Sequence, residues 1–381
     1  SVVVPRTSTS RDDRPSSVEG VERRPVVAAP EGLRCGGGGT CCRLYGTVML
    51  STDEARRVRT VIPNWTVGPV GAEQWFTPLR GSEPTPVLAA IARDGACGWL
   101  RDDGLCAVHA AGGARAKPVG CQLFPRAFVD DGETVTVSLK PECPCVLAPR
   151  THSVEPLVDP QWTHADQLPA TVVVDSIFTA VGLVDGRSAP RADYRQWMAM
   201  LRQRPTPHDP FATAWALADA IEADGLGAPL DEAWKATAPA AALVRPWLLA
   251  LHEHAAARAR EHAAWRSERD LVRQASSALA MLTLVLRDGA ALAEALAVAP
   301  SAPDQEARYW SARLHGHQWA RSGSVVTALR DDALRGWLAR SLVLVVPERA
   351  DDPDWRAPLA LVEALMRAHG IGAYVTDLVL D

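Results

Sequence analysis

Beyond Cys145 this chain of 381 residues contains no cysteine, and lysine occurs only at positions 117, 140 and 235. No run of about 18 apolar residues appears, which argues against a membrane-spanning helix. A net charge of −5 supplies no overall basic field, which argues against a nucleic-acid binder. The first residues, SVVVPRTSTSRDDRPSSVEGVERRP, lack the continuous apolar stretch of a secretory signal. Their Pro, Ser, Arg and Asp content reads as a flexible leader over 1–30 and the chain as cytoplasmic. There is no G-x-G-x-x-G order, no glycine loop followed by Lys-Ser/Thr, no H-E-x-x-H and no C-x3-C-x2-C, so none of the usual nucleotide, phosphate, zinc-protease or radical-enzyme signatures applies. Scarce lysine beside abundant alanine is what GC-rich coding produces.

What the chain has in excess is segregated. All eight cysteines fall between Cys35 and Cys145, whereas ten of thirteen tryptophans lie from Trp162 onward. The spacing divides the chain into the leader, a cysteine-rich segment over 31–150 and a helical segment over 151–381. The fold class expected is mainly α: a small irregular α+β cysteine-rich metal-binding domain followed by an all-α helical domain. Within the first domain, 47–50 reads as a strand. Ser51 with Glu54 forms a capping box that opens a helix reaching about Val61. Residues 87–92 read as a short helical piece, and RAFVDDGETVTVSLK as a hairpin turning at Asp131-Gly132. In the second domain, helical spacing of apolar residues marks 191–204, 210–225, 230–237, 240–287, 304–321, 325–346 and 355–369, with prolines between several of them. Tryptophans on such helices belong to the core.

The cysteines run Cys35, Cys41-Cys42, Cys97, Cys106, Cys121, Cys143 and Cys145, each beside glycine, proline or an expected turn where backbone can wrap round an ion. Thiolates are soft ligands suited to zinc or to iron–sulfur centres, and a reducing cytoplasm disfavours the alternative of disulfides. Side chains of adjacent residues diverge, so Cys41 and Cys42 suit two irons of one cluster or two separate sites. All eight are candidate metal ligands.

The series CC, C-x-x-L, DGLCAVH and KP-x-x-C-x-x-FPR resembles the zinc- or iron-chelating cysteine-cluster family. That family commonly opens C-x2-C-x2-C-C; Gly38 stands here where its second cysteine would be, and Cys143 or Cys145 could replace that ligand. A cysteine-rich domain followed by FPR, a strand, a Cys143-Pro144 step and a long helical region is similar, more narrowly, to the flagellin lysine-N-methylase group. The resemblance implies an iron–sulfur centre or zinc, S-adenosylmethionine as cofactor, and methyl transfer to a lysine or another amine of a protein or peptide partner. Neither a nucleic acid nor a membrane is implied. The alternative is a non-enzymatic zinc or iron–sulfur scaffold or sensor, or another metal-dependent tailoring enzyme on the same framework.

Three further side chains are candidates for the site. Tyr45 lies beside the vicinal cysteines and either lines the site or packs under the glycine loop. His109 either ligates metal or is a hydrogen-bonded turn histidine. Arg126 either clamps a carboxylate or is solvated at the start of a strand. His252-x-His254 and His315-x-His317 are expected on helices, where residues two apart point about 200° apart; both pairs are read as surface.

Overall fold

A computed structural model describes residues 25–28, 33–66 (without 36, 38, 40 and 43–47), 75–78, 87–147 (without 91, 94 and 95), 155–156, 175–236 (without 178 and 185), 303–343 (without 322), 359, 362 and 363. The fold is mainly α, with small sheets among the helices. Tyr45 and the helices expected over 240–287 lie outside the described residues, as does most of 355–369.

Strands β1 (Pro25–Val27) and β2 (Arg34–Cys35) come first. β3 (Met49–Ser51) then runs directly into helix α1 (Thr52–Val61). The capping box is present: the Glu54 amide donates to Ser51 Oγ at 3.3 Å and the Ser51 amide to Glu54 Oε2 at 2.7 Å. β3 pairs with β5 (Val87–Ala90), which also pairs with β4 (Phe76–Pro78). Residues 87–90 of the segment expected to be helical at 87–92 are therefore the middle strand of a three-stranded sheet, and Ala92 belongs to the next strand. Two flanking ladders satisfy the backbone groups of β5, which outweighs the weak helical preference of so short a piece. β6 (Ala92–Arg93) and β7 (Ala96–Cys97) form a small hairpin. It is followed by α2 (Ala107–Gly112) and α3 (Val119–Leu123). Leu50, Val58, Trp75, Trp99 and Val108 form the core of this unit.

The next pair, β8 (Arg126–Asp130) and β9 (Val135–Leu139), is the expected hairpin. Asp131 Oδ1 accepts from the amides of Glu133 and Thr134 at the tip, and Gly132 takes φ +95°. β1 adds to β9 in parallel, so residues 25–27 of the expected leader form a strand. Thr136 and Ser138 are buried together with the valines of β9, because strands flank β9 on both edges and a later helix lies against it. α4 (Pro144–Leu147) follows, and then the short strands β10 (Glu155–Pro156), paired with β2, and β11 (Asp175–Ser176), parallel to β8.

β12 (Ala180–Val184) and β13 (Arg187–Pro190) make a hairpin inside the segment expected to be all helix. Its turn carries Gly186 at φ +73°, a conformation cheap only for glycine. Helices α5 (Arg191–Arg202), α6 (Pro210–Asp224), α7 (Pro303–His315), α8 (Gln318–Arg321) and α9 (Val325–Val343) follow. Of the helix expected at 230–237, only a 3-10 turn at Ala233–Lys235 forms. Trp197, Trp215, Trp310, Trp319 and Trp337 are buried in the core these helices share, as expected for tryptophans on amphipathic helices. Asp209 caps α6 through the amides of Phe211 and Ala212, and its other oxygen pairs with Arg340 of α9 at 2.8 Å. Arg340 also grips Glu306 of α7 with two nitrogens, at 2.9 and 2.7 Å. One guanidinium thus ties three helices together.

No described helix is long and apolar enough to cross a membrane.

Candidate metal centre

The glycine loop has a steric reason. Gly37 and Gly39 both take positive φ, +66° and +68°. A Cβ on Gly39 would lie 2.4 Å from the carbonyl oxygen of Gly104 and 2.7 Å from Leu100 Cδ1. The loop after Cys35 is thereby pressed onto the 98–105 segment, whose two ends carry Cys97 and Cys106. That segment is closed by a bridge between Leu100 and Cys106 and by bonds from Ala107 N to Trp99 O at 2.8 Å and from Arg101 N to Leu105 O at 2.9 Å. Only a residue without a side chain lets these two cysteine-bearing loops approach so closely.

Cys121 enters from α3. The helix is fixed by Glu54, whose Oε1 accepts from Val119 N at 2.6 Å. The glutamate that completes the α1 capping box therefore also satisfies the first amide of α3. Lys117 precedes this helix, its carbonyl held by Arg57 at 3.1 Å and by the Gln122 amide at 2.6 Å.

None of the eight cysteines is in a disulfide, and seven of them fall into two neighbourhoods. Cys41, Cys97, Cys106 and Cys121 lie close enough for a thiolate at one to disfavour ionisation at others. Burial, reinforced by this mutual repulsion, pushes Cys97 and Cys121 up to about 12. Cys35, Cys143 and Cys145 share an apolar cluster with Leu33, Leu139, Val146 and Ala312 of α7. The Cys35 thiol is hydrogen-bonded to that of Cys145, which together with burial holds it far above the ordinary thiol range. The Gly37 amide, 3.4 Å from Cys35 Sγ, acts in the opposite sense. Cys41 links the two groups, since the charge of Cys35 reaches it. The expected divergence of the vicinal pair is not observed: the Cys41 thiol is hydrogen-bonded to Cys42 and is raised well above its usual value, first by that bond and then by burial.

Lys117 is the functional candidate that sequence reasoning missed. Its ammonium favours the thiolates of Cys35, Cys41 and Cys121, drawn from three different segments. The available signal was its position between Cys106 and Cys121 in a chain with three lysines. His109 sits on α2, half-buried. Arg126 is half-buried at the start of β8 and donates to the Gln122 carbonyl at 2.6 Å, so it is not simply solvated. The FPR step places a cis bond between Phe124 and Pro125.

Among the described residues, no three His, Cys, Asp or Glu side chains are arranged to hold a metal ion. By chemistry the donor set fits a thiophilic centre: soft sulfur donors, six half-buried and two buried, with one cation beside them.

No family model matches the chain, and no curated protein and no solved structure matches it either.

Proposed function

We propose that residues 31–150 carry a small α+β metallothiolate unit, joined to the helical segment over 151–381 through the sheet of the β8–β9 hairpin, and that the metal is an iron–sulfur cluster in preference to zinc. The observation that supports this reading is the close packing of the glycine loop between Cys35 and Cys41 on the 98–105 segment between Cys97 and Cys106, with Cys121 near enough for the thiols to feel one another's charge. Buried thiols scattered only to fill a core would not need such convergence. Cys35, Cys143 and Cys145 supply the remaining sulfur donors. A bound centre would supply Lewis-acid or electron-transfer chemistry. The chain's own contribution is to hold the sulfurs out of water, with Lys117 offsetting their negative charge.

Resemblance to the lysine-N-methylase group extends the proposal to methyl transfer from S-adenosylmethionine to a lysine or other amine. Such a transfer requires a neutral amine in line with the sulfonium carbon and little acid–base machinery. The experiment is anaerobic purification with metal and sulfide analysis, followed by calorimetry with S-adenosylmethionine. Brown protein holding iron and acid-labile sulfide in comparable amounts supports the cluster. Colourless protein with stoichiometric zinc moves the reading to a zinc scaffold. Cluster-loaded protein that does not bind S-adenosylmethionine removes the case for methyl transfer.

A further inference from the structure

Just past the end of α1 the chain closes over the cysteine-bearing 98–105 segment. The Trp65 amide donates to the Ile62 carbonyl at 3.0 Å, and its indole Nε1 donates to the Gly98 carbonyl at 2.8 Å. The one polar atom of the indole is thereby used, so the half-buried ring presents carbon and π surface alone. Between residues 64–66 and residues 100–103 lies an open groove of about 510 Å³, within the size range of sites that take a small ligand or a side chain. Leu100 lines this groove and also meets the glycine loop, since a Cβ on Gly39 would lie 2.7 Å from Leu100 Cδ1.

The charges along the groove do not balance. Asp103 accepts from the Leu105 amide at 3.0 Å and pairs with Arg101 at 2.5 Å, so these two charges neutralise each other within one loop. Asp102 is exposed and makes no hydrogen bond or ion pair among the described residues. No ring or guanidinium of the described residues stacks on Trp65.

A solvated aspartate or a half-buried tryptophan is ordinary by itself. What decides is how this chain treats the two where they occur together. Arg204 lies 4.9 Å over the ring of Trp234 and pairs with Asp231 at 2.6 Å. Arg330 lies 5.5 Å over the ring of Trp215 and pairs with Asp219 at 2.9 Å and Glu222 at 2.6 Å. In both places one guanidinium serves an indole and a carboxylate at once, because it is planar, weakly hydrated and carries five donors in a fixed fork. The groove presents the same two groups, while its own arginine is engaged by Asp103.

We propose that this groove docks an arginine side chain of a partner protein, the guanidinium lying on Trp65 and bonded to Asp102. A lysine fits less well, since its ammonium is strongly hydrated and neither stacks nor forks. The site stands on its own residues and does not depend on the metal reading.

The test titrates the full chain, labelled at its tryptophan indoles with nitrogen-15, at constant low ionic strength. The probes are N-acetylarginine amide, N-acetyllysine amide, uncharged N-acetylcitrulline amide and free arginine. The Trp65 indole resonance, assigned by its loss in Trp65→Phe, reports binding. The expected result is a saturable shift with the arginine amide, binding of the lysine amide weaker by about threefold or more, and no response to citrulline. Asp102→Asn, at an exposed side chain that supports no contact of the fold, should weaken arginine binding by about threefold to fivefold, and Asp102→Lys should abolish it. A shift that grows linearly, an equal response to citrulline, or unchanged affinity in Asp102→Asn would overturn the site. Tighter binding of the lysine amide would overturn the guanidinium assignment, and tighter binding of free arginine than of its blocked amide would overturn the assignment to a protein partner.

Discussion

At the scale of single residues, burial decides the chemistry more than residue type does. His317 is held down to about 3 and His315 to about 4, first by burial and then by the charge of Arg202. Below the ordinary imidazole value of 6.5 the unfolded chain takes up protons that these folded rings refuse. Stability contributed by their neutrality is therefore present above pH 6.5 and declines as pH falls toward 3 to 4, at about 1.4 kcal/mol for each unit of depression. Asp332, raised to about 6 by burial, works in the opposite direction between its ordinary 3.8 and that value. Its smaller shift offsets only part of the loss. Urea unfolding should give a lower midpoint at pH 4.5 than at pH 7, and His317→Gln should flatten that dependence. An unchanged slope in the variant would assign the acid sensitivity to other groups. None of this was legible in the sequence, where His315-x-His317 reads as two faces of one solvated helix. The helix instead ends at His315, and Gly316 with left-handed His317 turns the chain inward. A Cβ on Gly316 would lie 2.7 Å from the Ala312 carbonyl and 3.1 Å from Ser138 Oγ, so the break is seated tightly on β9.

At the scale of elements, local signals with a mechanism read correctly, and those that depend on a distant partner did not. Ser51 and Glu54 specify the start of α1 between themselves, and Asp131-Gly132 specifies the β8–β9 turn. Nothing local in 87–90 announces that β3 and β4 will flank it. The Asp185-Gly186 pair carried the turn chemistry of the β12–β13 hairpin, yet helical periodicity on its carboxyl side obscured it. A second consequence of distant packing is Gly336, in the middle of α9. A Cβ there would lie 2.1 Å from ring atoms of Phe211, so the glycine lets α6 and α9 approach with Trp215 and Trp337 rings 5.5 Å apart beside it. Gly336→Ala should therefore destabilise the helical unit by about 1–3 kcal/mol by overpacking, although alanine is the better helix former by about 1 kcal/mol. Pairing it with Phe211→Leu should recover part of the loss in denaturant melts. Full additivity of the two changes would show that the contact does not couple them.

At the scale of the whole molecule, the two halves are joined through the β8–β9 hairpin. Its base leads into Cys121 on one side and Cys143 on the other, while its tip is gripped by α5: Arg195 pairs with Glu133 and donates to the Asp131 carbonyl at 3.2 Å. Val129 of β8 and Leu147 of α4 belong to the helical core, whereas Leu139, Cys143 and Cys145 pack with Ala312 of α7 in a smaller cluster. The division at 150 expected from cysteine spacing thus crosses one sheet, to which β1 and β11 add from either side. Cysteine spacing reports where thiols lie along the chain, and it carries no information about which core a neighbouring valine joins. This arrangement sets the outcome of metal removal. If the thiols hold a centre, its binding energy is folding energy for the glycine loop that presses on the 98–105 segment, since Gly36 to Gly39 bring no apolar side chain of their own. The hairpin has the helical core behind it. Chelation, or Cys97→Ser, should therefore open 35–66 and 92–123 to limited proteolysis while leaving 126–139 and 191–224 protected, with cleavage sites read by mass spectrometry. Protection of all four regions after metal loss would mean the thiols are ordinary core residues. Simultaneous cleavage of the hairpin and the helices would mean that the centre supports the whole molecule rather than its cysteine-bearing loops.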